Sequence, residues 1–424
     1  MTNDELLKKI DDAPFLMTTE AARKKLRKPR SIYGDQILFM LAVTVMAFCR
    51  YGVRSLMVCA VSVVCCILTD MIGCFLSKKE YGIRDWSTVA YGLALSLMLP
   101  ASVPYYVVAL GSVLAITVKH IFGGKDNYIF NPAAVSIAFL IMCYPQQVLL
   151  YPSSPAGLEL FDTSGAVLAN GIESYFIKTG AMPALSPLEI LMGNFSGPMG
   201  TTHILILAVS AICLICRRSI SLSATVGGIG VMAGMTYLIN PSGEEVVFLF
   251  ISGFTLFGFI FLANDPQTLP LTGGGRLLYG VLLGLITTIF RQTAQIEGVF
   301  VFSLLVVNAL SLYLDRLWFN IITGIKRLAV YLKENLSSYE RISKSVKQGK
   351  TPELTDTQEI IIEPVNYNMP AIDSRVTKVK RKKVFSLKDA AEFFRKRFAG
   401  KERQASDSGT ADTPAEEAER EEDI

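Results

Sequence analysis

The residues Asn264-Asp265-Pro266-Gln267-Thr268-Leu269-Pro270-Leu271-Thr272-Gly273-Gly274-Gly275-Arg276 set a polar, proline-broken loop directly between apolar runs. The chain is 51% hydrophobic with a mean hydropathy of +0.40, and its apolar residues fall in blocks near the length that spans a bilayer, roughly 17 to 25 residues. Irregular backbone at membrane depth survives only where protein or a cavity satisfies its amides and carbonyls. The loop is therefore the first candidate site in what reads as an all-α polytopic membrane protein.

About ten spans are predicted, at 32–49, 55–76, 88–100, 105–118, 132–144, 202–216, 222–239, 246–262, 277–290 and 299–314. Several are short, which suggests tilted or broken helices. Residues 1–31 carry Lys8, Lys9, Arg23, Lys24, Lys25, Arg27, Lys28 and Arg30 instead of the apolar core of a secretory signal, so the amino end is expected in the cytoplasm. From that start, Lys78, Lys79, Arg84, Lys119, Lys125, Arg217, Arg218 and Arg276 fall in cytoplasmic loops, against Arg50, Arg54, Lys178 and Arg291 outside, as the positive-inside rule demands. An even number of spans returns the carboxyl end to the cytoplasm. Five spans precede a long external segment, 145–200, and five follow it. The second half then begins on the opposite side from the first, so any structural repeat is inverted, an arrangement that gathers sites at broken helices near the midplane.

A soluble tail is expected from about Trp318, or 317–424 as a segment, with a polar helical stretch at 325–350 and the basic run Lys378-Val379-Lys380-Arg381-Lys382-Lys383. Residues 386–399 open with a capping-box pattern, Ser386 and Asp389, and place Leu387, Ala390, Ala391, Phe394 and Phe398 on one helical face. Such a helix suits anionic lipid or a neighbouring subunit. The lone basic run is of the lipid-facing or solvated kind, so no nucleic-acid partner is expected. The acidic stretch 404–424, poor in apolar residues, reads as disordered.

Three further polar segments interrupt the apolar pattern. In the first, Gly123 to Ala134, glycines such as Gly124 permit close backbone approach, and Asn131 before Pro132 marks a helix start, where an anion or the polar edge of a ring can sit. The second, Phe161 to Ala169, and the third, Gly193 to Thr202, lie in the external segment; the third offers amides and hydroxyls that suit a phosphate. In the opening loop, Asp265 and Arg276 can pair with each other, the plainest structural role for both. Asp70 is the other ionisable residue at membrane depth and a functional candidate on that ground. The cysteines fall in or beside apolar runs; Cys213 and Cys216 have metal-pair spacing but no second pair, and read as small hydrophobes. With His120 and His203 the only histidines, far apart in sequence, no metal-ligand spacing or nucleophile triad is visible, which argues against zinc or hydrolytic chemistry.

From about Asp12 to Arg316 the chain resembles the D component of the Rnf electron-transport complex and the related B component of the sodium-translocating NADH:quinone reductase, the RnfD/NqrB family. The resemblance rests on Ala13-Pro14-Phe15, Phe130-Asn131-Pro132-Ala133-Ala134, Ser164-Gly165-Ala166, Gly193-Asn194 with Gly197 and Gly200, Asp265-Pro266 with Thr268, Pro270 and Thr272, Gly275-Arg276, and Asn308-Ala309-Leu310, in this order. It implies an inverted repeat of about ten helices similar to urea and ammonia channels. It also implies a bacterial cytoplasmic-membrane location and a transmembrane flavin-binding domain over 32–316. One FMN in the family is attached through its phosphate to the threonine of a Ser-Gly-Ala-Thr motif, and a second, riboflavin-type site lies among the helices. The implied flavin-lining set here is Gly124, Asn131, Pro132, Ser164, Gly165, Ala166, Val167, Gly193, Asn194, Gly197, Gly200, Thr201, Thr202, Asp265, Thr268, Thr272 and Arg276, with a Na+ site nearby.

Val167 stands where the family threonine is expected, and valine has no hydroxyl with which to form a phosphoester. FMN held without a bond by the surrounding glycines, attachment taken over by Thr163 or Thr201, and an empty site on a retained scaffold all stay open; Thr163 lies on the wrong side of the triplet. Gly200-Thr201-Thr202-His203 also replaces the family's Gly-Glu-Thr-Ser. The leading expectation is a membrane subunit of an Rnf-like complex that relays electrons between reduced ferredoxin and NAD through flavin, coupled to Na+ or H+ movement. The alternatives are a small-solute channel or permease, and a cofactor-free assembly subunit.

Overall fold

The computed structural model describes residues 29–77, 86–122, 128–153, 158–163, 165–179, 186–239, 241, 254–294 and 296–347. Gly124, Ser164, the amino segment 1–28, the first part of the expected span 246–262 (246–253) and the tail beyond 347, with its basic run, amphipathic helix and acidic end, lie outside the described residues.

Thirteen α-helices, one π-helical turn and one small hairpin make up the described chain. The first half holds α1 (Pro29–Tyr51), α2 (Val53–Leu76), α3 (Trp86–Leu97), α4 (Tyr105–Ile121) and α5 (Pro132–Cys143). The segment 145–200 contributes α6 (Pro145–Val148), strands β1 (Leu150–Pro152) and β2 (Leu168–Asn170), paired antiparallel, and the short helices α7 (Ile172–Thr179) and α8 (Pro187–Met192). The second half holds α9 (Ile204–Cys216), α10 (Leu222–Ile239), the single turn α11 (Thr255–Phe257) running into a π-helical turn at Gly258–Leu262, then α12 (Gly273–Ala294) and α13 (Val299–Lys347). Five stretches, Ser31–Tyr51, Val53–Leu76, Leu222–Ile239, Gly273–Ala294 and Val299–Lys333, are long and apolar enough to cross a bilayer; Tyr105–Ile121, Pro132–Cys143 and Ile204–Cys216 are shorter apolar helices. The chain is an all-α polytopic membrane protein but for the hairpin. Side chains such as Leu38, Val45, Leu68 and Ile72 are exposed, as a lipid-facing surface requires.

One boundary differs from expectation. The last span and the polar segment after Trp318 form a single helix, α13, because no proline falls between Leu314 and Lys347, the single Gly324 is tolerated, and the Trp318 ring packs against Gly274 at the start of α12.

Two broken helices share one plan. The twelve-residue α3 ends at Leu97, passes through a turn with Pro100 and Pro104, and continues as α4. The π-helical turn ends at Leu262, passes through a turn with Pro266 and Pro270, and continues as α12. Each proline lacks the amide that helix continuation needs. The breaks lie at opposite ends of α1: Gln36, near its start, donates to the carbonyls of Phe261 and Asn264, whereas Arg54, just beyond its end, donates to those of Ala101 and Val103. The carbonyls freed by each break are thus satisfied by side chains of neighbouring helices, as a low-dielectric surrounding demands.

Helix contact is closest between α10 and α12. Ala224 and Gly228 on one helix face Gly280 and Gly284 on the other, and a Cβ on Gly280 would stand 2.9 Å from the Ala224 Cα. This small-residue spacing lets backbones approach where lipid supplies no hydrophobic drive for association. In the first half serines tie the packing, with Ser62 donating to the Gly92 carbonyl at 2.8 Å and Ser136 to that of Gly111 at 2.6 Å.

Candidate functional site

The loop at the second break is built around Asn264 and Asp265. The Asn264 carboxamide accepts from the Ser221 amide at 2.8 Å and donates to Thr225 at 3.0 Å and to the Phe259 carbonyl at 2.6 Å, which pins the loop to the start of α10. Asp265 then points inward, 1% exposed, and accepts from Tyr33 on Oδ1 at 2.7 Å and from Tyr91 on Oδ2 at 2.9 Å. The Gln267 amide donates to it at 3.2 Å and the Asn131 carboxamide at 3.4 Å. Asn131 is also the cap of α5: its side-chain oxygen accepts from the Ala134 amide at 3.1 Å, Pro132 opens the helix, and its nitrogen reaches the Leu262 carbonyl.

Tyr128 completes the cluster, hydrogen-bonded to Tyr33 at 2.8 Å and to Tyr91. Tyr33 and Tyr91 are also 2.9 Å apart, so five oxygen-to-oxygen contacts link three phenols and one carboxylate. A phenol carries one proton. With Asp265 ionised, three protons serve five contacts, which leaves lone pairs facing one another in a buried place. An added proton, or a cation seated among these oxygens, relieves that repulsion. A cavity of about 10 Å³ beside the cluster, lined by Gln36, Met40, Ala90, Tyr91, Ala94, Asn131, Phe261, Leu262 and Asp265, has the room of about one water. A flavin ring does not fit there in this conformation.

Asp265 and Arg276 do not pair. Arg276 instead donates through Nε to the Pro270 carbonyl at 2.9 Å. Thr272 caps α12 by accepting from the Gly275 amide at 3.0 Å and donates to Asp315 at 2.6 Å; Asp315 also takes the Leu271 and Thr272 amides. Thr268 is buried, and its hydroxyl has no hydrogen-bond partner.

The candidates of the 145–202 segment form a separate place. Gly193 has φ 79°, a left-handed conformation suited to glycine, and Gly197 packs on Thr201 and Thr202. The Gly200 amide donates to the Leu97 carbonyl, docking this segment on the first break. Asn194 is exposed. Thr201 donates to the Pro198 carbonyl, whereas the Thr202 hydroxyl, His203 Nε2, the Tyr51 hydroxyl and Arg50 Nε are buried without partners. Those atoms suit an anion. Gly165, Ala166 and Val167 lie near the surface; Val167 is 73% exposed, and its carbonyl accepts from Ser153.

Asp70 belongs to neither place. His120 Nε2 lies 2.9 Å and the Lys119 ammonium 3.7 Å from its Oδ1, and Thr88 donates to its Oδ2 at 3.1 Å. The expectation of no metal-ligand grouping meets a different geometry, since the tertiary fold brings Asp70, Cys74 and His120 together. Tyr33, Tyr91, Tyr128 and Asp315 carry no motif that singles them out in sequence. Only the polar residues of the loop they serve were legible.

Broken helices whose turns meet buried ionisable and hydroxyl side chains define the class of polytopic membrane proteins that move charge or ions through their interior. Comparison with known proteins narrows this further. The profile of the NQR2, RnfD, RnfE family matches residues 18–323, and the chain belongs to that family. It is 28% identical over 304 residues to the D component of the Na+-translocating ferredoxin:NAD+ oxidoreductase complex of Acetobacterium woodii, a match that spans 70% of this chain and 92% of that protein. It is 26% identical over 317 residues to the D component of the proton-translocating ferredoxin:NAD+ oxidoreductase complex of Clostridium ljungdahlii, covering 72% and 93%. The B component of the Na+-translocating NADH-quinone reductase of Pseudomonas aeruginosa is 29% identical over 228 residues, covering 51% and 55%.

Proposed function

We propose that this chain is the D-type membrane component of an Rnf-like complex in a bacterial cytoplasmic membrane, where it couples ferredoxin:NAD+ oxidoreduction to movement of Na+ or H+ with the other subunits of that complex. The observation that carries the coupling role is the proton-poor cluster of Asp265, Tyr33, Tyr91 and Tyr128 at the second break. It accepts one positive charge with little rearrangement, because its oxygens are already gathered and the adjoining cavity has about the volume of one water. The hydroxyl protons can reorient to face away from a bound cation or be shared with an added proton. Asn131 and the Gln267 amide hold the carboxylate in place during that exchange.

A flavin, when bound, supplies one-electron transfer. Arg50 Nε, the Tyr51 and Thr202 hydroxyls and His203, beside the Gly193–Gly200 glycines, would hold its phosphate, with Arg50 Nη2 already donating to the Phe195 carbonyl at 3.1 Å, and this reading holds FMN without a covalent bond, since Val167 offers no hydroxyl. Arg50 contributes charge, and Thr202 and Tyr51 contribute hydroxyls. The two relatives named for different coupling ions are almost equally similar, so the ion is left between Na+ and H+.

The test is purification from the native membrane, with flavin absorbance and in-gel fluorescence read before and after denaturation. Flavin that is lost on denaturation, together with copurifying redox subunits, supports the proposal. Fluorescence that survives denaturation reveals an attachment residue elsewhere, and neither flavin nor partners overturns the redox role in favour of a permease.

A further inference from the structure

We propose that Asp70, Cys74 and His120 form a binding site for a divalent transition-metal ion of the Zn2+ type, where the carboxyl-terminal ends of α2 and α4 meet. Asp70 and Cys74 are four residues apart on α2 and so share one face of the helix. His120, in the last turn of α4, is laid against that face because residue 73 is glycine: a Cβ there would stand 2.5 Å from the imidazole. The carboxylate oxygen, thiol sulfur and ring nitrogen lie within 4.8 Å of one another. Tetrahedral zinc with bonds of about 2.0 to 2.3 Å needs ligand atoms roughly 3.5 Å apart. Small rotations of three side chains supply the difference.

The donor set selects the ion. One thiolate, one imidazole and one carboxylate suit Zn2+, Co2+ or Fe2+, whereas Na+, Mg2+ and Ca2+ prefer all-oxygen shells. Three protein ligands leave a fourth position for water. Asp70 is buried and further oriented by Thr88, a supporting contact of the kind that fixes metal ligands, while Cys74 and His120 are partly exposed and give an ion access. The Lys119 side chain donates to Ser87 at 2.9 Å and Thr88 at 3.1 Å, and its nitrogen lies 3.7 Å from the same carboxylate. Zinc takes cysteine as its thiolate, so binding must release the Cys74 proton. The site is distinct from the Asp265 cluster, yet Thr88 and Tyr91 are one turn apart on α3 and link the two places.

The experiment uses the full-length protein in detergent, stripped with chelator and titrated with Co2+ as a spectroscopic substitute for Zn2+. One equivalent bound, with a thiolate-to-cobalt charge-transfer band and proton release, is expected. Cys74→Ser should abolish the band, His120→Asn should weaken binding more than about tenfold, and Cys216→Ser should change neither. Independently of any variant, Zn2+ should slow alkylation of Cys74 but not of Cys216, read by mass spectrometry. Absence of the band in the folded protein, its persistence in Cys74→Ser, or equal alkylation of Cys74 with and without Zn2+ each overturns the site.

Discussion

Tyr33 and Asp265, 232 residues apart, are joined by a 2.7 Å hydrogen bond inside the protein. The bond ties the first turns of α1 to the second helix break. Tyr33→Phe removes the donor and leaves Asp265 Oδ1 with the Gln267 amide alone, at an expected cost of about 1 to 3 kcal/mol, measurable as a fall in thermal stability in detergent. Asp265→Asn keeps the shape but removes the negative charge. On the proposed function, it should lower ion movement by more than about tenfold while leaving assembly intact. Wild-type transport in that variant would sink the coupling role of Asp265.

Asn264→Asp tests the pin beside it. The carboxamide nitrogen donates to the Phe259 carbonyl and to Thr225, so an aspartate would set a carboxylate oxygen against a carbonyl oxygen in a buried place. A loss of about 2 to 4 kcal/mol is expected. Unchanged unfolding of the purified variant would show that the loop is held by other contacts.

The α10–α12 contact permits a comparison of two glycines. Gly280→Ala drives a methyl into the Ala224 backbone and should cost roughly 1 to 3 kcal/mol. Gly234→Ala, on α10 with nothing within 4 Å of the new methyl, should be neutral or stabilising by up to about 1 kcal/mol. Thermal scans of both variants decide it, and equal effects would deny the close helix approach.

A buried carboxyl between α12 and α13 sets a pH dependence. Glu297 accepts from Tyr151 at 2.9 Å and from Ser174, beside the Glu173–Arg291 ion pair at 2.8 Å. Burial, with Glu173 nearby, pushes its pKa up from 4.5 to about 7. The folded state then holds the proton more tightly than the unfolded chain. Its stabilising effect is complete below pH 4.5 and is lost as pH rises through about 7, by up to about 3 kcal/mol. Unfolding followed between these limits should show wild type losing stability with rising pH and Glu297→Gln losing less. Parallel curves would exclude Glu297 as the titrating group.

Much of the architecture was readable from composition. The apolar blocks around 32–49, 55–76, 222–239 and 277–290 became helices nearly where expected, because a span must satisfy its own backbone in lipid and few other structures can. The Asn131-Pro132 cap was readable because it is local, made of residues three apart. The extent of α13 was not: polarity after Trp318 announces a change of solvent, not the end of a helix.

The order of residues alone settles the class, the breaks at Pro266 and Pro270, and the presence of Asp265 within one of them, since hydropathy and proline act over a few residues. Packing in three dimensions settles what Asp265 meets, that Arg276 turns to Pro270 instead, and that Asp70 and Cys74 gain His120. Those contacts join residues from a few to hundreds of positions apart. The distant partners are chosen by which helix faces pack together, and tyrosines on apolar helices look the same in sequence whether they meet lipid or a carboxylate.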